Sequence, residues 1–279
     1  MGSGVSLDLI YLKNVISVTC ERSVVNSNTI NLKLFVIVQG CLLEFPLKLS
    51  AVILDMDGTI TRFNIDYLGM RRVALAELEK MNLRTPDMTE QLSIYLLLKK
   101  LRERLNAETY KGLRRRFYGL LEEMEIRAAQ EVALYPGAVE TLRELQERHL
   151  KVGLVTNNGR AGTNLTLKRF GLEEFFNAIV TRDDCEEMKP DARPVRQVLS
   201  ELSLRTEEAV LVGDGVIDIL AAQAAGLSSV AVGTGPLSVE RLLRAEPDYV
   251  LASINDLPKL IDLLGSRCSQ MAANTKELP

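Results

Sequence analysis

The chain has 279 residues, enough for one large domain or two modest ones, and 47% apolar with 25% charged residues excludes a disordered, collagen-like or coiled-coil protein. With 34 Lys plus Arg against 37 Asp plus Glu the formal charge is −3, so no global basic field exists to hold nucleic acid or an anionic membrane, and any anion site has to be local. Cys20, Cys41, Cys185 and Cys268 are scattered with no C-x-x-C pair, which indicates neither a zinc site nor a disulfide framework and suits a reducing, cytoplasmic setting.

Residues 1–49 differ from the rest. The alternation of Ile30, Leu32, Leu34, Val36 and Val38 predicts a strand. The apolar run from Leu34 to Phe45 is interrupted by Gln39 and Gly40 and falls short of the roughly 20 residues that span a bilayer. It comes late and ends in Glu44-Phe45-Pro46, unlike a signal peptide. This extension has no assigned role: it reads as a leader before a complete α/β domain or as an accessory hairpin packed on the sheet.

From residue 51 onward short apolar runs alternate with helical stretches, the pattern of a doubly wound parallel sheet of the α/β class. The expected strands are Ala51–Leu54, Lys151–Val155, Ala178–Thr181, Ala209–Val212, Ser229–Val232 and Tyr249–Leu251. Helices are expected over Ala138–His149 behind Pro136, after a Thr206 cap, and over Ile254–Leu264 behind a Ser253 cap. One interval breaks the rhythm. Between the first strand and Tyr135 the sequence predicts only helices, Leu68–Met81, Asp87–Leu105 and Ala107–Val132, an all-helical insert over 67–133 within a core of 50–66 and 134–265. Such an insert would sit over the carboxyl ends of the strands, where open sheets bind ligands. The polar tail, 266–279, is expected to fray.

Four strand ends carry candidate chemistry. Val52-Ile53-Leu54-Asp55-Met56-Asp57-Gly58-Thr59 runs a buried strand into two carboxylates that can diverge as the chain turns, one to attack and the other to move protons. An ordinary Asp-Gly turn would give the same letters. Val155-Thr156-Asn157-Asn158-Gly159 ends the second strand with a hydroxyl and amides able to bind phosphate oxygens, or to cap a helix. Met188-Lys189-Pro190-Asp191 offers a cation in a loop, and Gly213-Asp214-Gly215-Val216-Ile217-Asp218 ends the fourth strand with an acidic pair that would share one face of an opening helix.

Taken jointly and in this order, these segments resemble the haloacid dehalogenase-like (HAD) hydrolases. Asp55 to Thr59 match the D-x-D-G-T motif, Thr156 the Ser/Thr motif, Lys189 the Lys motif, and Gly213-Asp214 through Asp218 the closing acidic motif. The resemblance covers about residues 50–265 and implies a Rossmann-like core with a type 1 helical cap, as in phosphoglycolate-phosphatase-like members. It implies that Asp55 is the nucleophile forming an aspartyl phosphate and that Asp57 donates and then accepts a proton. It implies that Thr156, the Asn157 amide and Lys189 hold the phosphoryl oxygens, and that Mg²⁺ is held by Asp55, the Asp57 carbonyl and Asp214, with Gly58, Thr59 and Asp218 in support. The expected partner is a small phosphorylated metabolite. The closing motif reads Gly-Asp-Gly where many members have Gly-Asp-Ser, which removes a hydroxyl but no ligand charge.

Asp57 argues against a carbon-directed dehalogenase, which needs no second carboxylate. A receiver module would lack the insert and place its Lys later, and no G-x-G-x-x-G follows a predicted strand. A phosphomutase of the same fold and a non-catalytic phospho-ligand binding protein stay open. The basic run Lys99, Lys100, Arg102, Arg104, Lys111, Arg114, Arg115 and Arg116 interleaves with Glu103, Glu108, Glu122 and Glu123, as on a solvated helix face. Arg62, Asn64 and Asp66 are weaker candidates for substrate contact or closure, and His149 is explained by a helix end.

Overall fold

The structure, a computed structural model, describes residues 49–264 and, before them, the backbone of three strands, β1 (Tyr11–Leu12), β2 (Val15–Val24) and β3 (Ile30–Val38). The strand expected from the alternation after Ile30 is β3, paired antiparallel with β2, while β1 pairs antiparallel with the last strand of the main sheet. The expected tail beyond residue 264 lies outside the described residues.

After these come β4 (Ala51–Leu54), α1 (Tyr67–Lys80), α2 (Ile94–Arg102), α3 (Ala107–Glu131), α4 (Ala138–Glu147), β5 (Lys151–Val155), α5 (Arg160–Phe170) and β6 (Ala178–Val180). They are followed by α6 (Arg193–Leu202), β7 (Ala209–Gly213), α7 (Val216–Ala225), β8 (Ser228–Val232), α8 (Val239–Leu243) and β9 (Tyr249–Leu251). The sheet order is β1-β9-β8-β7-β4-β5-β6, with β4 to β9 all parallel. This is the doubly wound α/β architecture expected from the strand and helix pattern.

Every residue of β4 is fully buried because strand alternation gives it two apolar faces. Val52 and Leu54 join Ala138, Leu142 and Leu145 of α4, Leu167 of α5 and Leu257, Leu260 and Leu264 on one side. Ala51 and Ile53 join Val195, Val198 and Leu199 of α6 and Ala221 and Ala222 of α7 on the other. The chain leaves β4 in one direction to β5 and later returns to β7 on its opposite edge, so the carboxyl ends of β4, β5 and β7 lie side by side at a crossover switch.

Helices α1 to α3 share an apolar core of their own, including Met70, Leu78, Leu97, Leu101, Leu113 and Phe117. Asp66, Ser93 and Asn106 cap them, accepting from the amides of Gly69, Leu96 and Thr109 at 2.8, 3.2 and 2.9 Å. The second helix starts at Ile94 rather than at Asp87. Residues 87–92 turn twice, Met88 N bonding Thr85 O and Leu92 N bonding Thr89 O, before Ser93 supplies the cap. Thr206 likewise does not cap a helix; it opens a short 3₁₀ turn, Thr206–Glu208, in which Glu208 accepts from the Arg205 amide. No described helix is long and apolar enough to cross a membrane.

Phe117→Ala, at a fully buried site in the helical core, is expected to cost about 3–5 kcal/mol in urea unfolding. Leu68→Ala, at an exposed position on α1, should stay within about 0.5 kcal/mol.

Candidate active site

The strand ends deliver their polar residues to one place. Asp55 N continues the ladder onto Val212 O of β7 at 2.9 Å, and Thr156 N continues it onto Val180 O of β6 at 3.0 Å. The next side chains, freed of neighbours along the strand, face the switch point. Lys189 Nζ lies 2.6 Å from Asp55 Oδ1 and 2.6 Å from Asp218 Oδ1, with all three side chains largely withdrawn from solvent. Asp218 also accepts from the Gly215 amide at 2.9 Å, so it closes the first turn of α7 while it braces the lysine.

Asp55, Asp214 and Asp218 offer carboxylate oxygens within 4.8 Å of one another. Asp214 lies before α7, whose cap is Gly215, so the two acids converge from a strand end and a helix start rather than from one helix face. Burial raises Asp55 to about 7, an effect that Lys189 partly offsets, and burial followed by the repulsion of Asp55 raises Asp214 to about 8. Burial alone would lower the Lys189 ammonium, but Asp218 and Asp55 outweigh it and hold the charge above its ordinary range. Three carboxylates against one ammonium leave a formal charge of −2 in an all-oxygen donor set, which suits a hard divalent cation. The backbone makes room for the Asp214 side chain. Gly58, at φ +84°, and Gly235 approach Asp214 so closely that an added Cβ would lie 2.2 and 1.8 Å from its Oδ2.

Asp57 diverges from Asp55, as its place at a turn predicts. Its Oδ1 accepts from Thr61 Oγ1 at 2.8 Å and its Oδ2 from Asn158 Nδ2 at 2.6 Å, and burial raises its carboxyl above the usual range. The Asp57 carboxylate therefore stands apart from the acidic cluster, in which Asp218 joins Asp55 and Asp214. Thr59 is fully buried, and its hydroxyl finds no protein partner. Thr156 Oγ1 accepts from the Asn158 amide at 3.2 Å, which leaves its own proton available to a phosphoryl oxygen. Asn157 clasps the lysine loop: its Nδ2 donates to Lys189 O at 3.0 Å and its Oδ1 accepts from Lys189 N at 3.1 Å.

The helical insert reaches this centre at two places that sequence reasoning missed. Tyr67, the first residue of α1, donates to Asn158 Oδ1 at 2.6 Å. Glu125 of α3 accepts from Arg182 at 2.5 and 2.9 Å and from the Gly159 amide at 2.8 Å, and the pair is almost entirely buried. Arg182 also donates to Asn157 O at 3.2 Å and lies 5.0 Å from the Tyr118 ring centroid. A third tie joins α2 to the loop of Lys189. Glu187, buried, accepts from the Tyr95 hydroxyl and pairs with Arg102 and Arg193 at 3.2 Å and Lys99 at 3.7 Å. Two members of the basic run are thus engaged across to the core, whereas Lys100 and Arg116 pair within the insert, with Asp87 and Glu77. Charge interleaving along one helix gave no sign of these long-range partners. Of the weaker candidates, Asp66 caps α1, Asn64 bonds Ala128 O at 3.2 Å and Arg62 lies over the Tyr135 ring. His149 is exposed behind the end of α4. A cavity of about 1670 Å³ opens above the centre, lined by Asp55, Asp57, Lys189 and Asp214 from the core and by Tyr67, Arg71 and Tyr95 from the insert.

Residues 52–232 match the family model described as haloacid dehalogenase-like hydrolase. Among curated proteins, the chain is similar to the pyrophosphatase PpaX of Bacillus cereus (strain Q1), 30% identical over 226 residues that make up 78% of this chain and 99% of that one. It is also 37% identical over 131 residues to PpaX of Halalkalibacterium halodurans, where the match spans 47% of this chain and 60% of the relative; several of the curated relatives it matches are spanned to only about that extent. Among solved structures, a hydrolase from Pseudomonas syringae superposes with a TM-score of 0.59 at 26% identity, covering 76% of this chain and 98% of that one. A predicted phosphoglycolate phosphatase from Haemophilus somnus 129pt shares the fold, with a TM-score of 0.53 at 22% identity over 76% of this chain and 97% of that one.

Arg182→Met should destabilise the protein by about 3–5 kcal/mol, because it strands the Glu125 carboxylate in the interior. Denaturant titration should show the double variant Arg182→Met with Glu125→Leu recovering most of that loss.

Proposed function

The chain belongs to the haloacid dehalogenase-like hydrolase family, and from that membership we propose that it is a Mg²⁺-dependent phosphatase acting on a small phosphate compound through an aspartyl phosphate on Asp55. The observation that carries this reading is the Lys189 ammonium held between Asp55 and Asp218 beside Asp214. Lysine occupies Asp55 Oδ1, which leaves Oδ2 to attack phosphorus in line. Thr156, the Asn157 amide and Lys189 would carry the non-bridging oxygens as their charge shifts in the transition state. Asp57, withdrawn from the acidic cluster and raised by burial, protonates the leaving oxygen and later takes a proton from the water that hydrolyses the aspartyl phosphate. Magnesium, held by Asp55, the Asp57 carbonyl and Asp214 with Asp218 adjoining, would supply the positive charge that offsets three carboxylates and an anionic substrate.

The substrate class is a small phosphorylated metabolite. The pyrophosphatase names of the relatives and the phosphoglycolate phosphatase title of a structural neighbour put inorganic pyrophosphate and phosphoglycolate first in a substrate panel. Phosphate release from that panel is expected to need Mg²⁺ and to stop with chelator. Asp55→Asn should fall to background, and Asp57→Asn should lower kcat by about 10²–10⁴-fold on alkyl esters. Undiminished turnover by Asp55→Asn would sink the covalent reading.

A further inference from the structure

The two oxygens of Asp57 meet partners of different chemistry. Asn158 Nδ2 lies 2.6 Å from Oδ2, and an amide nitrogen only donates, so Oδ2 carries no proton while that bond stands. Thr61 Oγ1 lies 2.8 Å from Oδ1 and 3.2 Å from Met56 O. That hydroxyl can give its proton to the Met56 carbonyl and accept one from Asp57, so Oδ1 is free to be protonated. What keeps the Asn158 amide the right way round comes from elsewhere in the chain. The Tyr67 hydroxyl donates to Asn158 Oδ1 at 2.6 Å, which fixes the carbonyl side toward α1 and turns the NH₂ toward Asp57. Asn158 is buried, while Asp57 and Tyr67 are partly buried on the wall of the cavity.

We propose that Tyr67 and Asn158 are positioning residues that confine the transferable proton of Asp57 to Oδ1, so that the helical insert completes the acid that the core supplies. The inference rests on the reading of Asp57 as proton donor. In the step it serves, a bond forms between Asp55 Oδ2 and phosphorus while the bond from phosphorus to the leaving oxygen breaks. The proton moves from Asp57 Oδ1 to that oxygen, and Asp57 is left as the carboxylate that later deprotonates water. With Tyr67 or Asn158 removed, Oδ2 competes for the proton and the carboxyl can rotate about its bond to Cβ.

The test uses the leaving group. An alkyl alcohol leaves only with a proton, whereas 4-nitrophenolate leaves without one. The ratio kcat/KM covers steps only through the first phosphoryl transfer, so it isolates the acid role from the later attack of water. For the full chain with Mg²⁺, Tyr67→Phe and Asn158→Ala are expected to lower kcat/KM on the best alkyl ester of the panel by about 10–100-fold, part of what general acid catalysis supplies. On 4-nitrophenyl phosphate the loss should be several-fold smaller, and Asn158→Ser, which keeps a donor, should recover part of the alkyl activity. Equal losses on both esters, or none on the alkyl ester, would overturn the inference. Asp57→Asn in the same assay separates the two levels. If it shows the leaving-group dependence and the positioning variants do not, only the inference fails; if Asp57→Asn itself lacks the dependence, the acid reading fails and takes the inference with it. Tyr67→Phe keeps the ring and removes one oxygen, so it separates misfolding from misorientation.

Discussion

Lys189 is the cation around which the site is arranged. Its ammonium is buried with two carboxylates at 2.6 Å, and any one of the three charges left alone there would be costly to hold away from water. Much of the surrounding geometry follows from that constraint. Asp55 has to end β4 beside the start of α7, which needs β4 and β7 to be parallel neighbours. Asn157 pins the lysine loop through two hydrogen bonds to the Lys189 backbone. Gly58 and Gly235 stand where a side chain would collide with Asp214, so the third carboxylate can enter the same small volume.

The remaining formal charge of −2 connects structure to chemistry. Burial first, and then the repulsion of the neighbouring acids, raises the Asp55 and Asp214 carboxyls. Such a centre favours ligands that bring positive charge in an oxygen-rich setting, and then an anion bound to that charge. The helical insert meets the core through the buried pair of Glu125 with Arg182 and through Glu187, a buried carboxylate reached from α2 by the half-exposed Lys99 and Arg102. Ties of this kind gain little net stability but are strict about geometry, which suits an element whose Tyr67 has to meet Asn158.

The fold was largely legible because its strands are doubly buried: runs such as Val52-Ile53-Leu54 and Val210-Leu211-Val212 have no polar residue to confuse the period. The insert was legible as helix but not in its boundaries. The apolar spacing extends the second helix back to Asp87, whereas residues 87–92 form turns and Ser93 caps a helix that starts at Ile94. Asp55, Asp57, Thr156, Lys189 and Asp214 stand at strand ends or in adjoining loops, and Asp218 in the first turn of α7, where one-dimensional motifs are visible. In the sequence Asn158 reads equally as a phosphate-binding amide or as a helix cap. Its use as the bridge between Tyr67 and Asp57 spans 91 and 101 residues of sequence, and no local pattern encodes such a pairing.

The sequence by itself determined the α/β class, the helical interruption after the first core strand and the residue types at four strand ends, because strand and helix periods and short motifs are local properties of the chain. Only the tertiary structure decided which of those groups touch. It assigned Lys189 to both Asp55 and Asp218, gave the Asp57 carboxylate Thr61 and Asn158 as partners, and brought Tyr67, Glu125 and Arg182 to the loop that follows β5. The physical reason is that hydrogen bonds and ion pairs act over about 3 Å in space whatever the separation along the chain, and that proximity exists only once the sheet order and the seat of the insert are set.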